Sequence, residues 1–222
     1  MEEVRKPMQN PVLTANIEEL ADYTERHAEL RAAHHFLYDL RCPADGAPRF
    51  VVMGINPGET ASDWEMAPTP TEETSRYDFH VAKGCGRSAI RWSKAARFYL
   101  DDADYVLAEL FFWSSRDGVQ FRQRFGALGK SKHLPLCTRM NKTLIEAYVP
   151  RAVVVPGIGS ARLCQPLYGL KHVASLTSAK GRLVEHYHDG RRPWIFTKHW
   201  TGSFGLSNEQ RTEIQRYIRS NT

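Results

Sequence analysis

With 222 residues and 42% hydrophobic side chains, the chain is long enough to bury one substantial core, and it reads as a single domain over 1–222. No apolar run is long enough to span a bilayer, and the start Met1-Glu2-Glu3 has no apolar stretch behind it of the secretory kind, so the expected location is cytoplasmic, with no membrane partner. A net charge of +5 permits a polyanionic partner without requiring one.

Cys42, Cys85, Cys137 and Cys164 are scattered and form no C-x-x-C pair. Reduced thiols are the natural reading, and no metal or other cofactor is expected, because zinc motifs supply ligands in closely spaced pairs.

In chain order, residues 1–15 read as a loose arm containing Pro7 and Pro11. Asn16 with Glu19 three residues on makes a capping-box pattern, which predicts a helix running to about Leu40. The adjacent His34 and His35 read as structural or surface residues, since i,i+1 neighbours do not share a helix face. A breaker-rich loop from Cys42 to Pro48 leads to the apolar run Phe50-Val51-Val52-Met53, a buried strand ending in Gly54-Ile55-Asn56-Pro57-Gly58. Pro57 keeps Asn56 out of the helical region, and Gly58 would permit a left-handed turn or a close ligand approach. The turn therefore presents the Asn56 amide at the carboxyl end of a strand, where open α/β sheets bind ligands.

A long polar loop from Glu59 to Tyr77 follows, with Trp64, Tyr77 and Phe79 in or beside it. A helix is predicted from about Ala89 to Leu100, then a second strand over Tyr105–Phe112 that exits at Trp113-Ser114-Ser115. From Arg116 to Lys142 basic residues (Arg116, Arg122, Arg124, Lys130, Lys132, Arg139, Lys142) face a single acid, Asp117, with Phe121 and Phe125 among them. That segment reads as a solvated loop or as a phosphate-contacting surface.

A helix over about Leu136–Tyr148 precedes Pro150-Arg151-Ala152-Val153-Val154-Val155-Pro156, a third strand that enters the glycine-containing turn Gly157-Ile158-Gly159 and another helix. Arg162 stands where a dinucleotide fingerprint would need its third glycine. The region from Leu170 to Arg192 is polar, and its His186 and His188 have no third ligand nearby. Pro193–Thr197 reads as a fourth strand, and a final amphipathic helix is predicted over about Asn208–Ser220 with Ile214, Tyr217 and Ile218 inward. Strands alternating with helices predict a three-layer α/β/α fold around a central, mostly parallel four-stranded sheet.

Two of these segments together resemble the uracil-DNA glycosylase superfamily. Gly54-Ile55-Asn56-Pro57-Gly58 is similar to the first motif of its mismatch-specific and single-strand-selective branches, and the helix–strand unit running into Ala152–Ala161 is similar to its third strand unit. His199 stands where the second motif has its histidine, although Trp200-Thr201-Gly202 replaces the usual Pro-Ser. The likeness covers roughly residues 48–218. It implies a monofunctional DNA glycosylase that flips uracil or a related deaminated base out of DNA and hydrolyses its N-glycosidic bond, acting as a monomer.

In that family likeness Asn56 orients water and His199 stabilises the departing base. Gly54, Ile55, Pro57, Gly58 and Ser203 belong to the substrate pocket, and Phe79 or Tyr77 stacks on the flipped ring. Ser114 or Ser115 reads the base edge, although neither is the amide of the best-known branch. Arg116, Arg122, Arg124, Lys130 and Lys132 hold phosphates, while Trp200, Phe204 or Leu206 fills the vacated stack. Glu59 is a competing base beside Gly58. The N-terminal cysteine pair of the iron–sulfur branch is missing. The altered second motif keeps a competitor open, a non-catalytic nucleic-acid- or nucleotide-binding member of the same fold.

Overall fold

The computed structural model describes residues 11–35, 38–41, 48–58, 87–179, 181–201 and 206–222. Its seven-stranded sheet consists of β1 (Tyr38–Arg41), β2 (Phe50–Gly54), β3 (Tyr105–Glu109), β4 (Ala152–Pro156), β5 (Lys171–Ser178), β6 (Gly181–His188) and β7 (Pro193–Thr197). The spatial order is β1-β3-β2-β4-β7-β6-β5. The central strands β3, β2, β4 and β7 are parallel, as expected. The four-stranded count needs correction: β1 joins β3 antiparallel at one edge, and the antiparallel β6 and β5 extend the other.

Helices cover both faces because the central strands alternate two apolar sets. Val51, Met53, Val106, Ala108, Val153 and Val155 point to one side. There they meet α1 (Pro11–Arg26), α2 (Ala28–Arg31), α4 (Gly118–Phe125), α5 (Leu134–Tyr148) and α6 (Ala161–Tyr168). Phe50, Val52, Tyr105, Ala152, Val154 and Ile195 point to the other, against α3 (Arg87–Tyr99) and α7 (Asn208–Ser220). In a strand successive side chains face opposite ways, so strands apolar throughout must be covered twice. The three-layer α/β/α architecture follows.

Several boundaries differ from expectation. The first helix starts earlier, at Pro11, and ends at Arg26, where His27 leaves helical geometry (φ −118°, ψ 103°) and its ring stacks on Tyr23 at 4.0 Å. Asn16 is therefore not a cap; it lies buried inside that helix. His34 and His35 lie beyond α2, and His35 bridges to Trp113. The second strand ends at Glu109 rather than Phe112, and Asp117 caps an unexpected helix, α4, by accepting from the backbone N–H groups of Val119 and Gln120. β5 and β6 escape a reading by apolar periodicity because β5 is exposed along most of its length and β6 buries Glu185 and His186. Glu185 is held by Ser175, His172 and Arg182, and His186 Nδ1 lies 3.2 Å from the Tyr217 hydroxyl.

Among the described residues no helix is long and apolar enough to cross a membrane. Cys137 and Cys164 are buried free thiols, pushed up to about 12 by desolvation. Cys42 and Cys85 lie outside the described residues.

Candidate functional site

Because β3, β2, β4 and β7 run parallel, their carboxyl ends share one edge, and the turns leaving them form the candidate site. The turn after β2 is zipped to the segment after β3: Leu110 N donates to Gly54 O, Phe111 N to Ile55 O and Ser115 N to Pro57 O. Gly58 adds a parallel bridge to Ser115. This second track of hydrogen bonds fixes the backbone on both sides of Asn56.

Asn56 Nδ2 donates to Ser115 Oγ at 2.9 Å and to Pro57 O at 3.0 Å, with Trp113 O further off at 3.5 Å. Carbonyl oxygens only accept, so the amide nitrogen must be the atom on that side. The Oδ1 carbonyl is left on the other side, with no hydrogen-bond donor among the described residues. Ser115, 3% exposed, is thus a positioning residue for Asn56. Ser114 is also buried, and its hydroxyl accepts from His34 N. The expectation that one of these serines reads a base edge is not matched by their placement, since both hydroxyls face protein partners.

The residue at the end of the second parallel strand is Glu109. It pairs in register with Gly54 and is 9% exposed. Its carboxyl group lies over the Gly54 Cα: a Cβ built there would sit 2.8 Å from Glu109 Cδ and overlap the carboxylate oxygens. Gly54 is therefore the glycine that close approach demands. Gly58 adopts no positive φ and has open space where a Cβ would stand, so the left-handed role expected of it is not used. Glu109 is hidden in the sequence because the apolar run continues through Leu110-Phe111-Phe112, which places the expected strand end among the aromatics.

β4 separates β2 from β7, so the two strands lie about 10 Å apart. At the end of β7, Lys198 N donates to Leu183 O, and Gly157 N, beyond β4, donates to Thr197 O. A cleft of about 360 Å³ opens here, lined by Gly157, Ile158, Lys198, His199, Trp200, Leu206 and Arg211. Ile55, 41% exposed, reaches from the β2 turn toward Gly157, its Cδ1 3.7 Å from a Cβ built on that glycine. The Asn56 turn and the His199 turn are thereby brought to neighbouring positions on one edge.

His199 Nδ1 lies 3.3 Å from Thr201 N. A backbone N–H only donates, so Nδ1 accepts and the ring proton belongs on Nε2. Desolvation lowers the His199 pKa below its ordinary value of 6.5, which keeps the ring neutral at neutral pH. The result is a neutral imidazole with a defined donor.

No protein-family model and no curated protein matches this chain.

The other expected residues fall into three groups. Tyr77, Phe79, Ser203 and Phe204, with the competing Glu59, lie outside the described residues. Trp200 corrects its expected role as an inserted wedge: it is 4% exposed and stacks on Tyr99 at 5.0 Å and 20°, with Trp92 5.6 Å away. Among the basic residues, Lys132 is paired with Glu29 at 2.6 Å, and this hydrogen bond pulls the Glu29 carboxyl down to about 2. Arg124 reaches Ser114 O at 3.4 Å. Arg116, Arg122 and Lys130 are exposed and form no ion pair among the described residues. No group of three or more His, Cys, Asp or Glu that could hold a metal occurs among the described residues.

Proposed function

We propose that this chain is a DNA glycosylase of the uracil-DNA glycosylase superfamily, which hydrolyses the N-glycosidic bond of uracil or a related deaminated base. The observation that carries the reading is the fixed Asn56 amide. Its nitrogen is held by Ser115 and Pro57, so its carbonyl can accept a hydrogen bond from a water and orient the oxygen lone pair toward C1′ of a bound sugar. An amide cannot remove a proton with any strength, so the contribution is positioning rather than general base catalysis.

As the C1′–N bond breaks, its electron pair leaves with the base, and negative charge develops on the base oxygens. A neutral His199 donating from Nε2 stabilises that anion without transferring its proton. Water adds at C1′, keeping one hydrogen as the new hydroxyl and releasing the other as a proton to solvent, from which the departed base anion is protonated. Glu109 supplies the remaining chemistry of the edge. In its ionised form a carboxylate accepts hydrogen bonds and cannot donate them, which suits the ring N–H on the Watson–Crick edge of uracil. Flipping is the general route by which enzymes bring such a base to a pocket at a strand end.

The test is base release from oligonucleotides carrying one uracil, either single-stranded, opposite adenine or opposite guanine. Abasic sites should form with at least one of them, and Asn56→Ala should slow release by about a hundred-fold or more, since lost positioning alone costs that much. Release undiminished in Asn56→Ala would remove the assigned mechanism. Absence of release from every substrate, with binding retained, would replace the enzyme by a nucleic-acid-binding member of the same fold.

A further inference from the structure

Lys198 and Arg211 both line the cleft that holds His199. Arg97, Lys132, Arg139, Arg182, Arg192 and Arg219 each have a carboxylate partner, but Lys198 and Arg211 have none among the described residues. Among the described residues no acidic side chain lines the cleft; its remaining described walls are Gly157, Ile158, Trp200 and Leu206. Two like charges on one partly apolar cleft repel each other, and an anion between them reverses the sign of that interaction.

Both cations are carried on constrained backbone. Lys198 continues β7 through its N–H bond to Leu183 O on β6. Arg211 lies in the N-terminal part of α7, whose start is set by the reciprocal Ser207–Gln210 capping box. Gln210 Nε2 also donates to Ser178 Oγ at the end of β5. Val184 pairs with Thr197, so the Gly181–Leu183 segment projects past the carboxyl end of β7. The β5–β6 hairpin therefore braces both cation-bearing segments.

A second observation points the same way. The Trp200 Nε1–H and the Tyr99 hydroxyl are buried with no hydrogen-bond partner among the described residues. Trp200 lines this cleft, Tyr99 stacks on it, and the Arg211 charge is close enough to act on Tyr99. Buried donors without acceptors are costly, and acceptor oxygens supplied by a ligand, directly or through a water, relieve that cost.

We propose that Lys198 and Arg211 form a phosphate seat that grips the phosphodiester of the nucleotide whose base lies against His199. The inference rests on the glycosylase reading and names where that site takes hold of the strand: across the β7–α7 cleft. Arg supplies a planar fork of donors and Lys a mobile point charge, both suited to phosphate oxygens.

The experiment is fluorescence anisotropy of a short single-stranded oligonucleotide without uracil, titrated over a range of salt. Wild type is compared with Lys198→Met, Arg211→Met, the conservative Arg211→Lys, and Arg151→Met, which alters an exposed cation at the opposite edge of the sheet. Lys198→Met and Arg211→Met should each flatten the slope of log K against log salt by about 0.7, the value for one phosphate contact on a single strand. Arg211→Lys should keep most of the slope, and Arg151→Met all of it. Wild-type slopes in both methionine variants, with uracil release intact, would overturn the seat and leave the glycosylase standing. Flattened slopes in a protein that releases no base would keep the seat and remove the enzymatic reading. Deoxyuridine monophosphate or inorganic phosphate competing as strongly as the oligonucleotide, with both losses in the same variants, would overturn the assignment to a strand.

Discussion

Replacing Gly54 by alanine tests the most tightly drawn contact of the site. Gly54 ends β2 in ordinary strand geometry with no positive φ, so alanine suffers no backbone penalty there. Taken alone, that change would stabilise by about 0.4–1 kcal/mol through the unfolded chain. The new methyl, however, would sit 2.8 Å from Glu109 Cδ in a buried setting. Forcing a packed group aside costs about 1–3 kcal/mol. The expected balance is a loss of roughly 1–2 kcal/mol, or about 2–8 °C in Tm for a chain of this size. In a Glu109→Ala background the obstacle is gone, and Gly54→Ala should instead stabilise by about 0.4–1 kcal/mol. Thermal and urea unfolding of the four proteins completes the double-mutant cycle, with an expected coupling of about 1–3 kcal/mol. An equal cost of Gly54→Ala in both backgrounds would refute the contact as the reason for glycine at this position.

Two further outcomes separate roles that share the same turn. Trp200→Ala should cost about 3–5 kcal/mol of stability, as removal of a core aromatic does, because the ring is buried against Tyr99. A stable variant that lost release only from duplex substrates would restore the wedge role. His199, its pKa lowered by desolvation, should stay neutral as pH falls past 6.5, so uracil release should hold level through that value and decline only below it. The stability linkage has the matching sign: the unfolded imidazole takes up its proton first, so this group's contribution is complete above 6.5 and is lost progressively as pH falls beneath it. Release that climbs as pH drops through 6.5 would mean that the imidazolium is the active form.

Much of the architecture was legible because the central strands speak in apolar runs. Val153-Val154-Val155 and Val51-Val52-Met53 are apolar on consecutive positions, which only a sheet covered on both faces can bury. The last helix, expected over about Asn208–Ser220 from the spacing of Ile214, Tyr217 and Ile218, spans those residues, while the Ser207–Gln210 capping box that sets its start emerges only from the structure. The β5–β6 hairpin was not legible, because an edge strand exposed along most of its length carries no periodic apolar signal, and β6 buries polar side chains, Glu185 held by Ser175 and His172 on β5 and His186 Nδ1 beside the Tyr217 hydroxyl on α7. The first helix ends at Arg26 and not near Leu40 for a different reason: its end depends on the Tyr23–His27 stack and on packing around His133, contacts that no local pattern encodes.

For the site, the sequence determined the Asn56 turn and the His199 position, since Pro57 and the glycines punctuate one strand exit and the end of an apolar run marks the other. What it could not specify was which atoms those residues have to spare. Ser115, 59 residues away, is what turns the Asn56 carbonyl free, and Thr201 N–H is what commits the His199 proton to Nε2. Glu109 entered the site only once the β2–β3 register set it opposite Gly54. Trp200 left the expected wedge because Tyr99 lay ready to stack on it. Residue identity and local turn chemistry are written along the chain, but hydrogen-bond partners and buried contacts are long-range, and only the closed sheet brought them together.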